Sequence, residues 1–355
     1  MHGCELQAVS NSLQLHSKML QRGFPAMIDK ADLRVPRLTP FTPEFQEAYE
    51  ASHHSERSPW KSNGYFTSTA DMRDYGYEAR LHMYSALTRE PIHKLEIYET
   101  GGKSYAEMRD LVQSIFVCDA ERLGTMRVDL CADIYGVDVG WFKRHMTVKG
   151  KRLHREFGET SPYQTIQNGH AQTLYAGCKP NQFRVYNKAL ERLVRWKSYV
   201  KRLARDFPEE VPIPYAAMYG HAESDTITRI ERQIVARDLQ RCDLATFASL
   251  KNATAFNPFT PVQILPQCNA PQPEAYPFAT WCAGMYLQDQ IRTTGLASTL
   301  AEMRKWTGRN FYREQKRFAP FLGVPENGTC LDASGLFNAY RNTLERQLGS
   351  ALGAA

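Results

Sequence analysis

The stretch QFRVYNKALER, Gln182 to Arg192, sets Tyr186 between Arg184 and Lys188. The residues before Tyr186 alternate as a strand does, and those after it read as the start of a helix. With a strand period of two, Arg184, Tyr186 and Lys188 point to one face. A free phenol has a pKa of about 10 and is a poor nucleophile at neutral pH. Flanking cations favour the phenolate and lower that value. They also neutralise a phosphate or steady a leaving oxygen. The trio therefore suits attack of a tyrosine on a phosphodiester. The plainer alternative is an ordinary tyrosine at the core edge of a β-hairpin.

Three other segments carry a basic-x-acidic step. In Arg127-Val-Asp129-Leu-Cys131-Ala-Asp133, the arginine and both carboxylates share one strand face. Charges on an otherwise apolar strand are costly unless they are paired or bind a metal. Arg229-Ile-Glu231 and Lys94-Leu-Glu96 repeat the step. Side by side in one sheet, their carboxylates would converge on one patch. Oxygen-only clusters of this kind suit Mg²⁺ or Mn²⁺. Taken alone, ion pairing accounts for Arg127-Asp129 as well as a metal does, and for Arg229-Glu231 and Lys94-Glu96 better.

These residues need a sheet to bring them together. HKLEIYET (His93 to Thr100), TMRVDLCADIYG (Thr125 to Gly136), QTLYAG, QFRVYNK and TITRIERQIV (Thr226 to Val235) read as strands. QTLYAG and QFRVYNK flank Gly177 to Asn181, a hairpin turn. SYAEMRDLVQSIF places Tyr105, Met108, Leu111, Val112 and Ile115 at helical spacing, with Ser104 as N-cap. Residues 188–205 read as a helix with Leu193, Trp196, Val200 and Leu203 on one side and Lys188, Arg192, Arg195 and Arg202 on another. Short strands and a hairpin predict an α+β fold, an antiparallel sheet flanked by helices, with a mostly helical C-terminal region. The expected division is 1–75 as a poorly defined N-terminal region, 76–256 as the catalytic domain, and 257–355 as a proline-rich junction and helical C-terminal region.

The chain has 355 residues, 43% hydrophobic and 23% charged, so a soluble globular protein is expected. Its formal charge of +6 favours a polyanionic partner. The eight cysteines form no CxxC pair and have no His at zinc-like spacing, which points to a reducing compartment. No signal peptide is visible, and no apolar run approaches the roughly 18 residues of a membrane span. A cytoplasmic protein that does not touch a membrane is expected.

MRVDLCAD, TLYAGCKPNQFRVYNKALE and TRIERQ, in this order, resemble the Rep_trans-type rolling-circle replication initiators of Gram-positive plasmids. The wider kin include filamentous-phage replication proteins and mobilisation relaxases. HKLEIYETGGKSYAEMRDLVQSIF is similar to the strand, turn and helix before that family's first motif. The resemblance runs from about His93 to Arg232. It implies that Tyr186 is the DNA nucleophile, cutting one strand, joining its 5′-phosphate and leaving a 3′-OH primer. It implies that Asp129 and Glu231 hold Mg²⁺ or Mn²⁺, with Asp133, Glu96 and Glu191 as further candidates and Arg127 as the arginine of the first motif. It also implies a single-stranded or hairpin DNA origin; a host helicase as partner and a homodimer are expected. The stretch between Glu191 and Arg229 is longer and more basic than in plasmid members, which leaves a phage-type initiator open. A conjugative relaxase and a non-catalytic DNA-binding copy-control protein are the alternatives.

For the DNA backbone, Lys179, Arg192, Arg195, Arg202, Arg229, Lys151 and Arg152 are the expected contacts, the last two in the basic run FKRHMTVKGKRLHR. His53, His54 and His170 are read as structural or solvated. MRKWTGRNFYREQKRF (Met303 to Phe318) interleaves cations with aromatics, and reads as an amphipathic helix with those aromatics in the core rather than as a base-stacking surface.

Overall fold

The computed structural model describes residues 28–54, 66–72, 77, 79–85, 92–98, 103–149, 153–156, 173–176, 182–235, 237–264, 272–323, 336–338 and 340–341. Along the chain these form β1 (Ile28–Pro36), α1 (Pro43–His54), β2 (Phe66–Asp71), β3 (Ala79–Ser85), β4 (Ile92–Tyr98), α2 (Tyr105–Ile115), β5 (Gly124–Tyr135), α3 (Val139–His145), β6 (Met146–Val148), β7 (Leu153–Glu156), β8 (Thr173–Ala176) and β9 (Phe183–Asn187). There follow α4 (Lys188–Asp206), α5 (Tyr215–Tyr219), β10 (Ile227–Val235), α6 (Arg237–Arg241), β11 (Val262–Ile264), α7 (Phe278–Thr294), α8 (Leu296–Thr307) and α9 (Phe311–Arg317).

Nine strands form one antiparallel sheet in the order β2-β3-β4-β1-β5-β10-β9-β8-β7, and β6 pairs with β11 in a separate ribbon. The expected α+β class holds. Each strand alternates, so the sheet has two unlike faces. One face is apolar. Leu33 pairs with Leu95, Ile230 with Ala132 and Val185, and Val185 with Leu174. α2 buries Tyr105, Met108, Val112 and Ile115 in the same core. Its start is fixed by a capping box, in which Ser104 Oγ accepts from Glu107 N at 3.2 Å and Glu107 Oε2 accepts from Ser104 N at 2.6 Å. α3 adds Trp141 and Phe142 to this core.

The domain boundaries differ from those expected. β1 lies in the middle of the sheet, paired to β4 on one side and β5 on the other. β1 and β2, both before residue 75, therefore belong to the main sheet. At the other end, β11 pairs with β6, and Tyr340 sits in the main core with its hydroxyl donating to Ala253 O at 2.7 Å. The separable feature is narrower. α7, α8 and α9 enclose a second core of Leu287, Ile291, Leu296, Met303, Phe311, Phe318, Phe321 and Leu322. Among the described residues, no helix is long and apolar enough to cross a membrane.

Leu33 is fully buried in β1. Leu33→Ala should cost about 3 kcal/mol of the stability of the whole sheet domain, read from the urea midpoint of a single cooperative transition. A separate early transition that leaves the main one unmoved would show that β1 is peripheral.

Candidate functional site

The second face of the sheet is charged. Register places Arg80 beside Glu96, Glu96 beside Asp32, Asp32 beside Arg127, Arg229 beside Asp133 and Tyr186, and Glu231 beside Arg184. The strand parity expected of Arg127, Asp129, Cys131 and Asp133 is thus met. Of the three basic-x-acidic strands, β5 and β10 are neighbours, but β1 separates β4 from β5, so the carboxylate of Glu96 does not converge with theirs. Asp129 and Glu231 are each 1% exposed and Arg229 2%. Charges this deep persist only with partners.

Those partners are specific. Arg127 chelates Asp129, with Nε donating to Oδ1 at 2.7 Å and Nη2 donating to Oδ2. Arg184 Nη2 donates to Glu231 Oε1 and reaches Asp129 Oδ2 at 3.4 Å. One guanidinium therefore bridges the two carboxylates. The second oxygen of Glu231, Oε2, is buried and has no hydrogen-bond partner. Burial pushes the Glu231 carboxyl up to about 8, with Asp129 and Asp29 adding to the rise and Arg184 opposing it. An oxygen in that position carries a proton or meets a cation.

Asp133 is differently placed, and its expected role as a metal ligand does not fit. Arg229 donates to Oδ1 from Nε at 2.5 Å and to Oδ2 from Nη2 at 2.9 Å, and Arg192 Nη2 donates to Oδ2 at 3.2 Å. Both oxygens of Asp133 are thus held by arginines. Arg229 also donates to Asp29, the extra residue of a β-bulge where β1 meets β5. Arg192 Nη1 lies 3.0 Å from Nε2 of buried His221.

Tyr186 stands two residues beyond Arg184 on β9, just before the chain enters α4. Asn187 caps that helix, its Oδ1 accepting from Leu190 N at 2.9 Å. Tyr186 is half-buried, with Lys188 Nζ 5.8 Å from its ring centre. Its phenol lies well above the ordinary value. Burial is the main cause and Glu191 the next, and Arg229 only partly offsets them. The expected lowering by Arg184 and Lys188 is outweighed by burial, and both cations also have carboxylate partners. Arg184 serves Glu231 and Asp129, while Lys188 Nζ donates to Glu191 Oε2 at 2.6 Å.

α4 corrects a second expectation. Lys188, Glu191 and Arg192 are its buried polar residues, and Arg192 reaches across to Asp133 of the sheet. The side predicted to grip DNA therefore begins as an inward face. Arg192 and Arg229, 3% and 2% exposed, are buried structural cations and cannot reach a DNA backbone. Arg195 pairs with Glu191, and Arg202 lies 3.7 Å from Asp206 on the exposed end of the helix. The apolar side packs as expected, with Leu193, Trp196, Val200 and Leu203 meeting Tyr215 and Met218 of α5. Lys151, Arg152, Lys179 and His170 lie outside the described residues, as do the side chains of His53 and His54.

Glu96 belongs to the far end of the same face. Lys30 lies 3.2 Å and His82 3.1 Å from it, Lys94 also pairs with it, and Lys94 lies 2.9 Å from Asp32. Glu96 and Glu191 are thus parts of ion-pair networks rather than metal ligands. Sequence reading missed Asp29, Asp32 and His221. Asp32 was legible in principle, because KADLRV alternates charged and apolar residues without a break, whereas Asp29 falls outside that pattern at the bulge.

Of the expected ligand pair, Glu231 offers an unpartnered oxygen, Oε2, whereas both oxygens of Asp129 accept from arginines, so a hard divalent ion here would draw first on Glu231. Mg²⁺ and Mn²⁺ commonly bind through one or two carboxylates and fill the remaining positions with water and substrate phosphate. The described residues contain no cluster of three or more His, Cys, Asp or Glu arranged to hold a metal alone. Compared with known proteins, the chain matches no family model and no curated protein.

Burial alone would raise Asp133, but Arg229 and then Arg192 outweigh it, leaving its carboxyl below the usual value. Its contribution to stability is therefore complete above its unfolded pKa of about 3.9 and fades as pH falls through the lower folded value. Asp133→Asn should cost about 3 kcal/mol at neutral pH by leaving arginines unmatched. Its urea midpoint should converge on that of the parent chain as pH falls below about 4. A gap that stays constant with pH would show that the carboxylate charge is not what matters.

Proposed function

We propose that this protein is a metal-dependent DNA strand transferase in which Tyr186 is the nucleophile, of the kind that initiates rolling-circle replication. The observation that carries the proposal is the meeting, on one sheet face, of Tyr186, a bridging Arg184 and the carboxylates Asp129 and Glu231, with one buried Glu231 oxygen left without a partner. The resemblance of MRVDLCAD, QFRVYNK and TRIERQ to the initiators supports it, because those segments are the ones that pair here as β5, β9 and β10.

In the proposed reaction the Tyr186 oxygen bonds to the phosphorus and the bond from phosphorus to O3′ breaks. The phenol proton passes to water and the departing O3′ takes one from it, so no charge is created overall. Asp129 and Glu231 would hold Mg²⁺ or Mn²⁺, which supplies Lewis-acid polarisation of the phosphate when bound. Arg184 steadies the same phosphate when it turns from Glu231. Arg127 keeps Asp129 oriented through its two hydrogen bonds. Lys188 remains over the ring and balances Glu191.

A non-catalytic DNA-binding role is the second reading. The raised phenol and the full pairing of Arg184 and Lys188 favour it.

Incubation of a labelled origin-region single strand with the protein and Mn²⁺, followed by a denaturing gel, separates the two. The expected result is a cut strand with a covalent protein adduct that disappears in Tyr186→Phe while DNA binding persists. Cleavage surviving in Tyr186→Phe would remove the nucleophile assignment, and no cleavage in the parent chain would leave the non-catalytic reading. Glu231→Gln should lower cleavage by about a hundredfold. It should also weaken Mn²⁺ binding in calorimetry, and unchanged Mn²⁺ affinity would contradict the ligand assignment.

A further inference from the structure

The helices α7 to α9 carry features that nothing at the sheet site uses. Sequence reading places the aromatics of Met303 to Phe318 in a core. The structure divides them. Phe311 and Phe318 are inside, whereas Trp306 is 64% and Tyr312 72% exposed. Tyr286 on α7 lies against Trp306 of α8, ring centres 6.3 Å apart and planes 28° from parallel, with both rings open to solvent. Of the five exposed aromatic residues among those described, four (Phe278, Tyr286, Trp306 and Tyr312) lie on these helices.

A loose core does not explain this. The interior is tightly filled, so that a Cβ added at Gly284 would lie 2.3 Å from the Phe321 ring. Apolar rings left outside a well-packed interior mark a contact surface.

The charge of the same helices points to the kind of contact. Residues 278–322 hold seven Lys or Arg against three Asp or Glu, a formal +4 out of the chain's +6. Glu302 and Glu314 are already engaged, by Lys305 and by Arg313 and Arg317. Arg292, Arg309 and Lys316 are exposed and form no ion pair among the described residues.

We propose that α7 to α9 form a docking surface for single-stranded DNA, with Tyr286 and Trp306 as a base-stacking platform and the surplus arginines and lysines as phosphate contacts. Unpaired bases present π-faces that extend an aromatic stack without sequence preference, and the backbone supplies the matching charge. Duplex DNA keeps its bases stacked on one another and gains nothing from the platform. An acidic protein would use the cations but not the ring pair. The inference does not depend on Tyr186 chemistry, because binding is read without cleavage.

The test uses the full chain and a fluorescently labelled oligothymidylate, with binding followed by anisotropy at several salt concentrations. Trp306→Ala should weaken binding about tenfold, and Tyr286→Ala should weaken it similarly. Both side chains are exposed, so the variants should keep the parent unfolding midpoint. Arg309→Glu should weaken binding at low salt and flatten the salt dependence. Oligothymidylate should also quench the fluorescence of Trp306, and Trp306→Phe should remove that part of the signal. Parent-like affinity in both aromatic variants would overturn the proposal, even with salt-sensitive binding intact. Equally tight binding of a duplex that responds to Trp306→Ala in the same way would overturn it too.

Discussion

The bridge made by Arg184 between Glu231 and Asp129 is the interaction around which the polar face is arranged. Three strands meet there, with Asp129 on β5, Arg184 on β9 and Glu231 on β10. Neither carboxylate could stay ionised at this depth without a cation beside it. Every charge next to the bridge is constrained by the same rule. Arg127 completes Asp129, Arg229 and Arg192 share Asp133, and Asp29 reaches over from the bulge of β1 to complete Arg229. The pattern continues through Lys30, Asp32, Lys94 and Glu96 to the other half of the sheet. A buried ion-pair network of this kind gives little net stability, but removing one member is costly. Its value lies in fixing side chains in place.

That balance decides the state of Tyr186. A phenol among several cations would be acidic if those cations were unmatched. Here each has a carboxylate, and the net effect on Tyr186 is a rise caused first by burial and then by Glu191. The resting arrangement therefore holds the tyrosine neutral. In the proposed reaction, activation would require a change in the local charge balance. In that reaction Asp129 and Glu231 would hold the ion, whose charge would favour the phenolate, and Arg184 would turn toward the phosphate. Protonated Glu231 and metal-bound Glu231 are two answers to one problem, the orphaned Oε2 in a water-poor site.

Much of this was legible in the sequence because strand parity is strict. Arg127, Asp129 and Asp133 had to share a face, and so did Arg184 with Tyr186 and Arg229 with Glu231. The Ser104 cap and the α2 pattern were equally direct. What parity does not give is which partner each charge chooses. Asp133 and Asp129 sit four residues apart on one face and both are held by arginines on both oxygens, yet Asp133 takes Arg229 and Arg192 while Asp129 takes Arg127 and shares Arg184 with Glu231. β1 was overlooked for a different reason. Its alternation KADLRV is clear, but the prolines and polar residues around it outweighed six residues of pattern. The inward turn of Arg192 could not be read either, because α4 is basic on its buried and its exposed sides alike. On α8 and α9 the aromatics alternate between inside and outside over a few residues, a division that helix packing sets and composition does not.

The most direct measurement is to digest the covalent protein–DNA complex with protease and locate the nucleotide by mass spectrometry. The account predicts a single nucleotide-bearing peptide that contains VYNK, with the added phosphate ester on Tyr186. A nucleotide carried by another tyrosine, a serine or a lysine, with Tyr186 unmodified, would contradict it.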